Sequence, residues 1–291
     1  MKKTGVIFIV ENKVYLPTND FMFKKLFGSI GSEKITKNLI ESILGRKIGS
    51  IDLDGNTILE KDLIDEKGCI LDIKAKFDTG ELCDLEMQMS NEHNVEERIL
   101  AYWSKLFTET IKMGDNYLQS KRTIVIFITN FEVDSMKKMK RCHTKWQIRE
   151  EKNHKIILTN KLELHIIQLP NKVYGIEEDL NNNLRLWLKF IENPNELEES
   201  EMAENEVIVK AKKEYDKLVE DEDVKRRAEL RELFCWTHEQ TYDNGVKYGI
   251  EQGKKSEKIE IAREMLKEGF DIEKIVKITG LEQSEILELK K

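Results

Sequence analysis

The chain has 291 residues, of which 40% are hydrophobic and 35% are charged, and its formal net charge is −7. This composition is typical of a folded, charge-rich protein and excludes a disordered chain. The acidic balance excludes a protein that is basic throughout, so any contact with nucleic acid must use a local basic patch.

The N-terminus and the cysteines indicate the compartment. The segment MKKTGVIFIVENK has an apolar run of only six residues and no small-residue cleavage site, so we expect no signal peptide. No stretch approaches the length of a membrane span. The four cysteines form no CxxC pair, which favours reduced thiols. We therefore expect a cytoplasmic protein with no membrane partner.

Residues 24–44 are predicted to be helical because apolar residues recur at helical spacing on both sides of a short break. Ser32 is the expected cap of the second helix, and Gly45 is its expected stop.

Two short strands follow, at residues 68–77 and 82–89, and apolar side chains alternate with polar ones in both. Because successive side chains of a strand point to opposite faces, Asp72 lies on the polar face of the first strand. The polar face of the second strand carries Asp84, Glu86 and Gln88.

The turn between these strands determines which acids meet. A three-residue loop at residues 78–80, with Gly80 in the left-handed conformation, pairs the apolar side chains of the two strands with each other. Asp72 then lies directly opposite Glu86, with Cβ atoms about 5 Å apart. Asp84 lies diagonal to Asp72, where it would tune the site or, in the simpler interpretation, pair with Lys74.

Two carboxylates this close repel each other unless a positive charge compensates. Either Lys74 and Lys76 screen them, or a divalent cation bridges them. Carboxylate oxygens suit Mg²⁺ or Mn²⁺. The alternative is an exposed hairpin whose polar face carries mixed charges without a specific function.

The next elements complete an α/β domain that we place at residues 1–194. We predict a helix at 92–113 that ends at Gly114, a buried central strand at 122–129, and a further strand at 162–169. Residues 134–155 contain eight Lys or Arg against three acids. This basic patch is interpreted equally well as a nucleic-acid contact or as a solvated surface.

The composition changes after residue 194. Residues 195–206 carry six acids and no basic residue, so we interpret residues 195–255 as a charged helical linker. Gly245, Gly249 and Gly253 argue against a rigid helix there. Residues 256–291 contain three short helical patterns separated at Gly269 and Gly280, which predicts either a helix-turn-helix module or an oligomerisation module.

The hairpin has the arrangement D-x13-E-x-Q, which resembles the PD-(D/E)XK nuclease motif, with Gln88 at the usual position of the lysine. The strings PTNDFMFKKLFG, ILDIKAKFDTGELCDLEMQ, ERILAYWSKLF and GDNYLQSKRTIVIFITNF together resemble the Rpn family of recombination-promoting nucleases and transposases. The match covers roughly residues 15–175, and the MLKEG…IVKITGL string is similar to tails in that family.

The resemblance implies a restriction-endonuclease-like fold, in which a mixed sheet is flanked by helices and followed by a helical C-terminal tail. It implies a metal-dependent DNA endonuclease, a hydrolase linked to recombination or mobile elements, with Mg²⁺ (or Mn²⁺) as cofactor and DNA as partner. Asp72 and Glu86 would bind the metal. Gln88 would complete the catalytic set by orienting the attacking water.

A further acid commonly comes from the preceding helix in this superfamily. Asp20 is the preferred third metal ligand and Glu41 is the other candidate, while a helix N-cap is the alternative role for Asp20. Arg98 and Lys24 are the candidate DNA contacts, and a solvated surface is the alternative for Lys24.

A rival function belongs to another class of protein. In it, the chain is a catalytically inactive DNA-binding or assembly protein that uses the nuclease fold as a scaffold. In either case the C-terminal helices are candidates for forming a homo-oligomer.

Overall fold

The computed structural model describes residues 15–54, 72–114, 116–171 and 180–289. The chain divides into two compact units, Met1–Cys235 and Trp236–Lys291. They are called the first and the second unit.

The described residues of the first unit form one six-stranded mixed sheet in the order β1-β2-β3-β4-β6-β5. β3, β4 and β6 are parallel, whereas β1, β2 and β3 are joined by antiparallel pairing and β5 runs antiparallel to β6. The strands are β1 (Ile51–Leu53), β2 (Ile73–Phe77), β3 (Leu82–Gln88), β4 (Thr123–Thr129), β5 (His143–Trp146) and β6 (Leu162–Gln168).

Helices cover both faces of this sheet, as a mixed sheet flanked by helices requires, so the predicted fold class is confirmed. The helices of the first unit are α1 (Asp20–Gly28), α2 (Glu33–Leu44), α3 (Val95–Glu109), α4 (Asn182–Glu192), α5 (Glu199–Ala203), α6 (Glu206–Glu220) and the start of α7 (Glu222–Lys267). One core contains α1, α2, α4 and α6 against one face. The other core lies between α3 and the opposite face.

β4 is the central strand, and every one of its residues is buried. Its side chains alternate between the two cores, with Ile124 and Ile126 in one and Val125 and Phe127 in the other. A continuous apolar run is therefore needed at this position, and the predicted buried central strand is confirmed.

The first helices match the prediction with one shift of boundary. α1 begins at Asp20, four residues before the predicted start, because Asn19 caps it by accepting a hydrogen bond from the Met22 N–H at 3.2 Å. Gly45 ends α2 in the left-handed conformation, with φ 65°, as predicted. α3 is shorter than predicted at both ends, and Gly114 lies beyond its C-terminus.

Part of the predicted linker contributes to the core of the first unit. The buried side chains after residue 205 are Ile208, Ala211, Tyr215, Val224 and Ala228. The first three recur every three or four residues on α6 and the last two are four residues apart on α7, so each helix has an apolar face opposite a charged one. The structure has a continuous helix, α7, at the three glycines that argued against a rigid helix, Gly245, Gly249 and Gly253.

The described helices of the second unit are the end of α7, α8 (Ile272–Thr279) and α9 (Gln283–Leu289). Ala262, Ile275, Leu281 and Ile286 form their common core. Gly280 ends α8 with φ 65°. The three helical patterns predicted after residue 255 are therefore present.

Two smaller expectations concern thiols and hydropathy. Cys83, Cys142 and Cys235 are not in disulfide bonds among the described residues, while Cys69 lies outside them. In the described part of the chain, no helix has the length and apolarity that crossing a membrane requires.

The turn between β2 and β3 has the predicted geometry. Gly80 has φ 82° and donates its N–H to the Phe77 carbonyl at 2.8 Å, while Phe77 donates to the Glu81 carbonyl at 2.9 Å. This turn sets the register in which Ile73 pairs with Leu85. Residues 68–71, the predicted start of the first strand, lie outside the described residues.

We expect Gly80→Ala to lower the free energy of unfolding by about 1–2 kcal/mol, because a side chain in the left-handed conformation is strained. The added Cβ would also lie 3.3 Å from the Lys121 Cε atom. Urea unfolding followed by tryptophan fluorescence measures this loss. Gly245→Ala, which places its Cβ in open space on a helix, is the control and should not destabilise the protein. Equal stability of the two variants would contradict a strained Gly80.

Candidate active site

The predicted acids meet at one end of the sheet, where β2 begins and β3 ends. Asp72 directly precedes β2, and the register places it opposite Glu86 of β3. The Glu86 Oε1 atom accepts a hydrogen bond from the Asp72 backbone N–H at 2.7 Å. The structure therefore brings together the two carboxylates that the sequence predicts to be opposed.

Glu86 and Gln88 form the buried side of this site. Glu86 is only 1% exposed, and its Oε2 atom accepts a hydrogen bond from Gln88 Nε2 at 3.2 Å. Since Asp72 N–H and Gln88 hold one oxygen each, the Glu86 carboxylate has a fixed orientation. Asp72 is more open, with 24% of its side chain exposed.

Asp84 does not pair with Lys74, although the two residues face each other across β2 and β3. Lys74 instead forms ion pairs with Glu109 and, at 3.4 Å, with Asp54. Asp84 is fully buried, and no described residue donates a hydrogen bond to either of its carboxylate oxygens. The simpler interpretation of Asp84 is thus wrong, because Lys74 pairs instead with an acid of α3 and with the acid directly after β1.

The pKa values of Asp72, Asp84 and Glu86 are all raised. Burial is the largest cause for Asp84 and Glu86, followed for both by the negative charge of Asp72, and both pKa values lie well above the usual range. Burial also raises the pKa of Asp72, which Lys24 opposes and Asp20 reinforces. Burial, and for Asp84 and Glu86 the neighbouring charge of Asp72, therefore disfavour the ionised forms of these acids.

α1 brings two further predicted residues to the site. Lys24 Nζ lies 4.0 Å from Asp72 Oδ1, and only 14% of the lysine side chain is exposed, so Lys24 is not a solvated surface residue. Asp20 lies close enough to influence the pKa of Asp72. Asn19, one residue earlier, is the helix cap, so the alternative role of Asp20 as N-cap is wrong.

Arg231 is a site residue that the sequence does not reveal. It lies on α7, 211 residues after Asp20, and its Nε and Nη2 atoms donate to Asp20 Oδ2 at 2.7 and 2.6 Å. The other oxygen, Asp20 Oδ1, is buried and accepts no hydrogen bond from the described residues. No local spacing marks Arg231, because it stands in a charge-rich segment typical of solvated helices.

Glu41, the other candidate for the third acid, has a structural role in the loop that follows α2. It accepts hydrogen bonds from the Ile48 N–H at 2.9 Å and from Lys47 Nζ at 3.0 Å, and Lys37 lies 3.8 Å away. The Glu41 carboxylate is therefore held by residues of α2 and of the loop after it.

Arg98 lies on the first turns of α3, on the side of the site formed by Tyr102. Its guanidinium donates to the Tyr102 hydroxyl at 3.2 Å and to Glu92 at 3.3 Å. The negative charge of Glu86 contributes, after burial, to raising the pKa of Tyr102. A DNA contact by Arg98 stays a prediction.

The site fits a divalent cation held by few protein ligands. No group of three or more acidic, histidine or cysteine side chains within the described ranges is spaced to hold a metal ion by itself. Asp72 and Glu86 provide two carboxylates, and Mg²⁺ is commonly bound by one or two carboxylates together with water and substrate phosphates. The unpartnered buried oxygens of Asp84 and Asp20 favour a cation in the same place.

Comparison with family models decides the family. The PD-(D/E)XK nuclease family transposase model matches residues 17–244, and the C-terminal HTH domain model of the Rpn/YhgA-like nuclease family matches residues 255–291. The chain belongs to the Rpn family of PD-(D/E)XK transposases. Neither the curated proteins nor the solved structures gave a match.

The first match contains every acid of the site together with Arg231, so in this family member the start of α7 belongs to the nuclease match. The second match contains α8 and α9, which the structure packs into one small core. A nuclease- or transposase-related role and an HTH domain are therefore established at the level of the family.

The Rpn chain also carries a second polar cluster, on β5 and β6, that the scattered histidines of the sequence do not suggest. His165 Nε2 lies 3.0 Å from Glu163 Oε1, and His143 Nε2 lies 2.8 Å from His165 Nδ1. Arg122 and Lys145 pair with Glu163. Burial, then the charges of His165 and Lys145, lower the pKa of His143 to about 4.

The predicted basic patch lies near this second cluster rather than at the acids. Trp146 belongs to β5, the edge strand of the sheet, and β5 is separated from β3 by two other strands. Lys145 of the patch pairs with Glu163, and Lys137 pairs with Asp134 at 2.7 Å. A nucleic-acid contact by the patch stays a prediction.

We expect Asp84→Asn to raise the free energy of unfolding in EDTA by about 1–3 kcal/mol at pH 8, since it replaces a buried carboxyl that lacks a donor. The folded-state pKa of Asp84 is raised, so the wild type loses stability as the pH rises above about 4. The gap should therefore widen from pH 5 to pH 9. Chemical denaturation measures it, and Asp52→Asn on the exposed edge of β1 is the control. A less stable Asp84→Asn would contradict an unpaired carboxylate.

The His143 imidazole should make the protein sensitive to acid. Because its folded-state pKa is below the usual 6.5, its neutral form stabilises the fold above that pH, and up to about 3 kcal/mol is lost as the pH falls to 4. His143→Gln should lose correspondingly less stability between pH 7 and pH 4 in urea titrations. His154→Gln, in the exposed loop after β5, should follow the wild type. Parallel losses in wild type and His143→Gln would exclude this role.

Proposed function

We propose that the protein is a cytoplasmic, Mg²⁺- or Mn²⁺-dependent DNA endonuclease that hydrolyses phosphodiester bonds in recombination or in the movement of mobile elements. The observation that supports it most directly is the opposed pair Asp72 and Glu86, which is fixed by a backbone hydrogen bond and lies near buried oxygens of Asp84 and Asp20 that accept no hydrogen bond from the described residues. A fold without such a function has no reason to accept the cost of burying these charges together.

The metal ligands in this proposal are Asp72 and Glu86, with Asp20 as the third acid. When bound, the cation would polarise the phosphodiester and lower the pKa of a coordinated water molecule. The carboxylates would fix the position of the ion. Glu86 is itself held in place by hydrogen bonds from the Asp72 N–H and from Gln88. Their mutual repulsion in the free protein favours cation binding.

In the usual motif one lysine provides both hydrogen bonds and a positive charge, and here Gln88 would provide the first and Lys24 the second. Gln88 is neutral, so it offers hydrogen bonds that orient a water molecule but no positive charge. Lys24 provides that charge from α1, at 4.0 Å from Asp72 Oδ1. We propose that Lys24 contacts the scissile phosphate and that Arg98 contacts a neighbouring phosphate, because both cations lie beside the acids.

The HTH domain supports DNA as the partner. In an HTH unit the second helix of the turn lies against the major groove, and here the helices after α7 are short. α8 carries Lys274 and Lys277, whereas α9 within Gln283–Leu289 has no basic residue. Modest, largely non-specific affinity is the expected contribution of this module. Homo-oligomer formation through these helices stays a prediction.

Plasmid cleavage with Mg²⁺ and then Mn²⁺ tests the proposal. We expect the wild type to nick or linearise the plasmid and Glu86→Gln to lose at least about 100-fold in rate, because the amide cannot serve as an anionic ligand. Glu97→Gln, which neutralises an exposed acid on α3, should keep wild-type activity. Gel quantification of nicked and linear plasmid, with the three proteins at equal concentration, measures the difference in cleavage rate.

Two results would contradict the proposal. Equal cleavage by wild type and Glu86→Gln would place the activity outside this site. Binding of DNA by both proteins with no cleavage under either metal would favour the inactive scaffold instead.

A further inference from the structure

Arg231 joins α7 to Asp20 beside the site, and this contact is more than the packing of the helix requires. Val224 and Ala228 already bury α7 in the core of the first unit. Asn19 Nδ2 also donates to the Ala228 carbonyl at 3.1 Å, which ties α7 to the start of α1. Arg231 extends one turn further and directs its guanidinium to the acid next to Asp72.

Arg231 contacts one carboxylate oxygen of Asp20 and leaves the other without a hydrogen bond. The guanidinium Nε and Nη2 atoms both donate to Oδ2, at 2.7 and 2.6 Å. Oδ1 is buried and unpartnered within the described residues. Carboxylates that bind metals are commonly held by a hydrogen bond to one oxygen while the other oxygen faces the ion. Asp20 has this arrangement, since Arg231 holds Oδ2 and Oδ1 accepts no hydrogen bond from the described residues.

We propose that Arg231 is the positioning residue for the third acid, holding Asp20 by Oδ2 so that Oδ1 faces the cation of the nuclease site. This inference rests on the proposed function, since it requires the metal that Asp72 and Glu86 would bind. It makes the start of α7 part of the active site. It also explains why a cation stands beside a centre that must attract another cation.

The sign of the effect separates this role from a purely electrostatic one. If Arg231 acted only by its charge, its removal would strengthen Mn²⁺ binding, because two positive charges would no longer repel. If Arg231 clamped Asp20 away from the metal, its removal would also strengthen binding. Only a residue that orients Asp20 weakens Mn²⁺ binding when it is lost.

The experiment is a titration of the full chain with Mn²⁺, in which electron paramagnetic resonance measures the free ion. We expect Arg231→Gln to weaken Mn²⁺ binding about 10-fold or more, as the loss of a supporting partner of a metal ligand commonly does. Arg231→Lys should recover part of the affinity. Arg226→Gln, which removes an exposed arginine of α7 paired with Asp223 at 2.9 Å, is the matched control and should bind as the wild type.

A double-mutant cycle tests whether Arg231 acts through Asp20. In an Asp20→Asn background, Arg231→Gln should have no further effect on Mn²⁺ affinity. Circular dichroism verifies that each variant is folded before titration. Unchanged or tighter Mn²⁺ binding by folded Arg231→Gln would overturn the inference, as would the absence of Mn²⁺ binding by the wild type.

The outcomes remain distinct from those of the proposed function. A wild type that cleaves DNA while Arg231→Gln binds Mn²⁺ normally would overturn only the role of Arg231. A wild type that binds Mn²⁺ through Arg231 and Asp20 without cleaving DNA would overturn only the endonuclease.

Discussion

The register between β2 and β3 is the constraint on which the site depends. A turn of three residues, closed by Gly80 with φ 82°, pairs Ile73 with Leu85. A slip of one residue would turn the polar side chains of one strand into the apolar core, so the core that contains Ile73 and Leu85 enforces the same pairing. The position of Asp72 opposite Glu86 is therefore a consequence of packing as well as of the turn. The positions of Asp72 and Glu86 at this end of the sheet are therefore as fixed as the strand pairing itself.

That arrangement places charge where a stable fold would avoid it. Asp84 and Glu86 are buried on the same face of β3, and neither oxygen of Asp84 has a donor among the described residues. The sheet tolerates them because β4 and the two cores supply a large apolar contact on either side. Stability and the proposed cation binding would thus be opposed at β3. The free protein is expected to be less stable than its fold allows, and a bound cation would recover the difference.

The sequence predicts the hairpin well because its determinants are local. Alternation of side chains and one glycine are enough to bring Asp72 and Glu86 together. The partners of Asp20 and Lys74 could not be predicted, since Arg231 lies 211 residues from Asp20 and Glu109 lies 35 residues from Lys74. Charged helices after residue 205 resemble a solvated spacer in composition. Their small apolar face, which includes Ile208 and Ala211, indicates packing only once the surface that receives it is known.

The length of chain between Asp20 and Arg231 has a consequence for synthesis. A ribosome releases the residues of β2, β3 and α1 early, and N-terminal segments begin to fold while the chain is still growing. The arginine that would complete the site emerges only after the whole sheet has been made. If Arg231 positions Asp20, an interrupted message or a nascent chain cut before α7 yields a protein with an incomplete nuclease site. If the protein cleaves DNA as proposed, the order of the elements would leave unfinished copies with a weakened metal site.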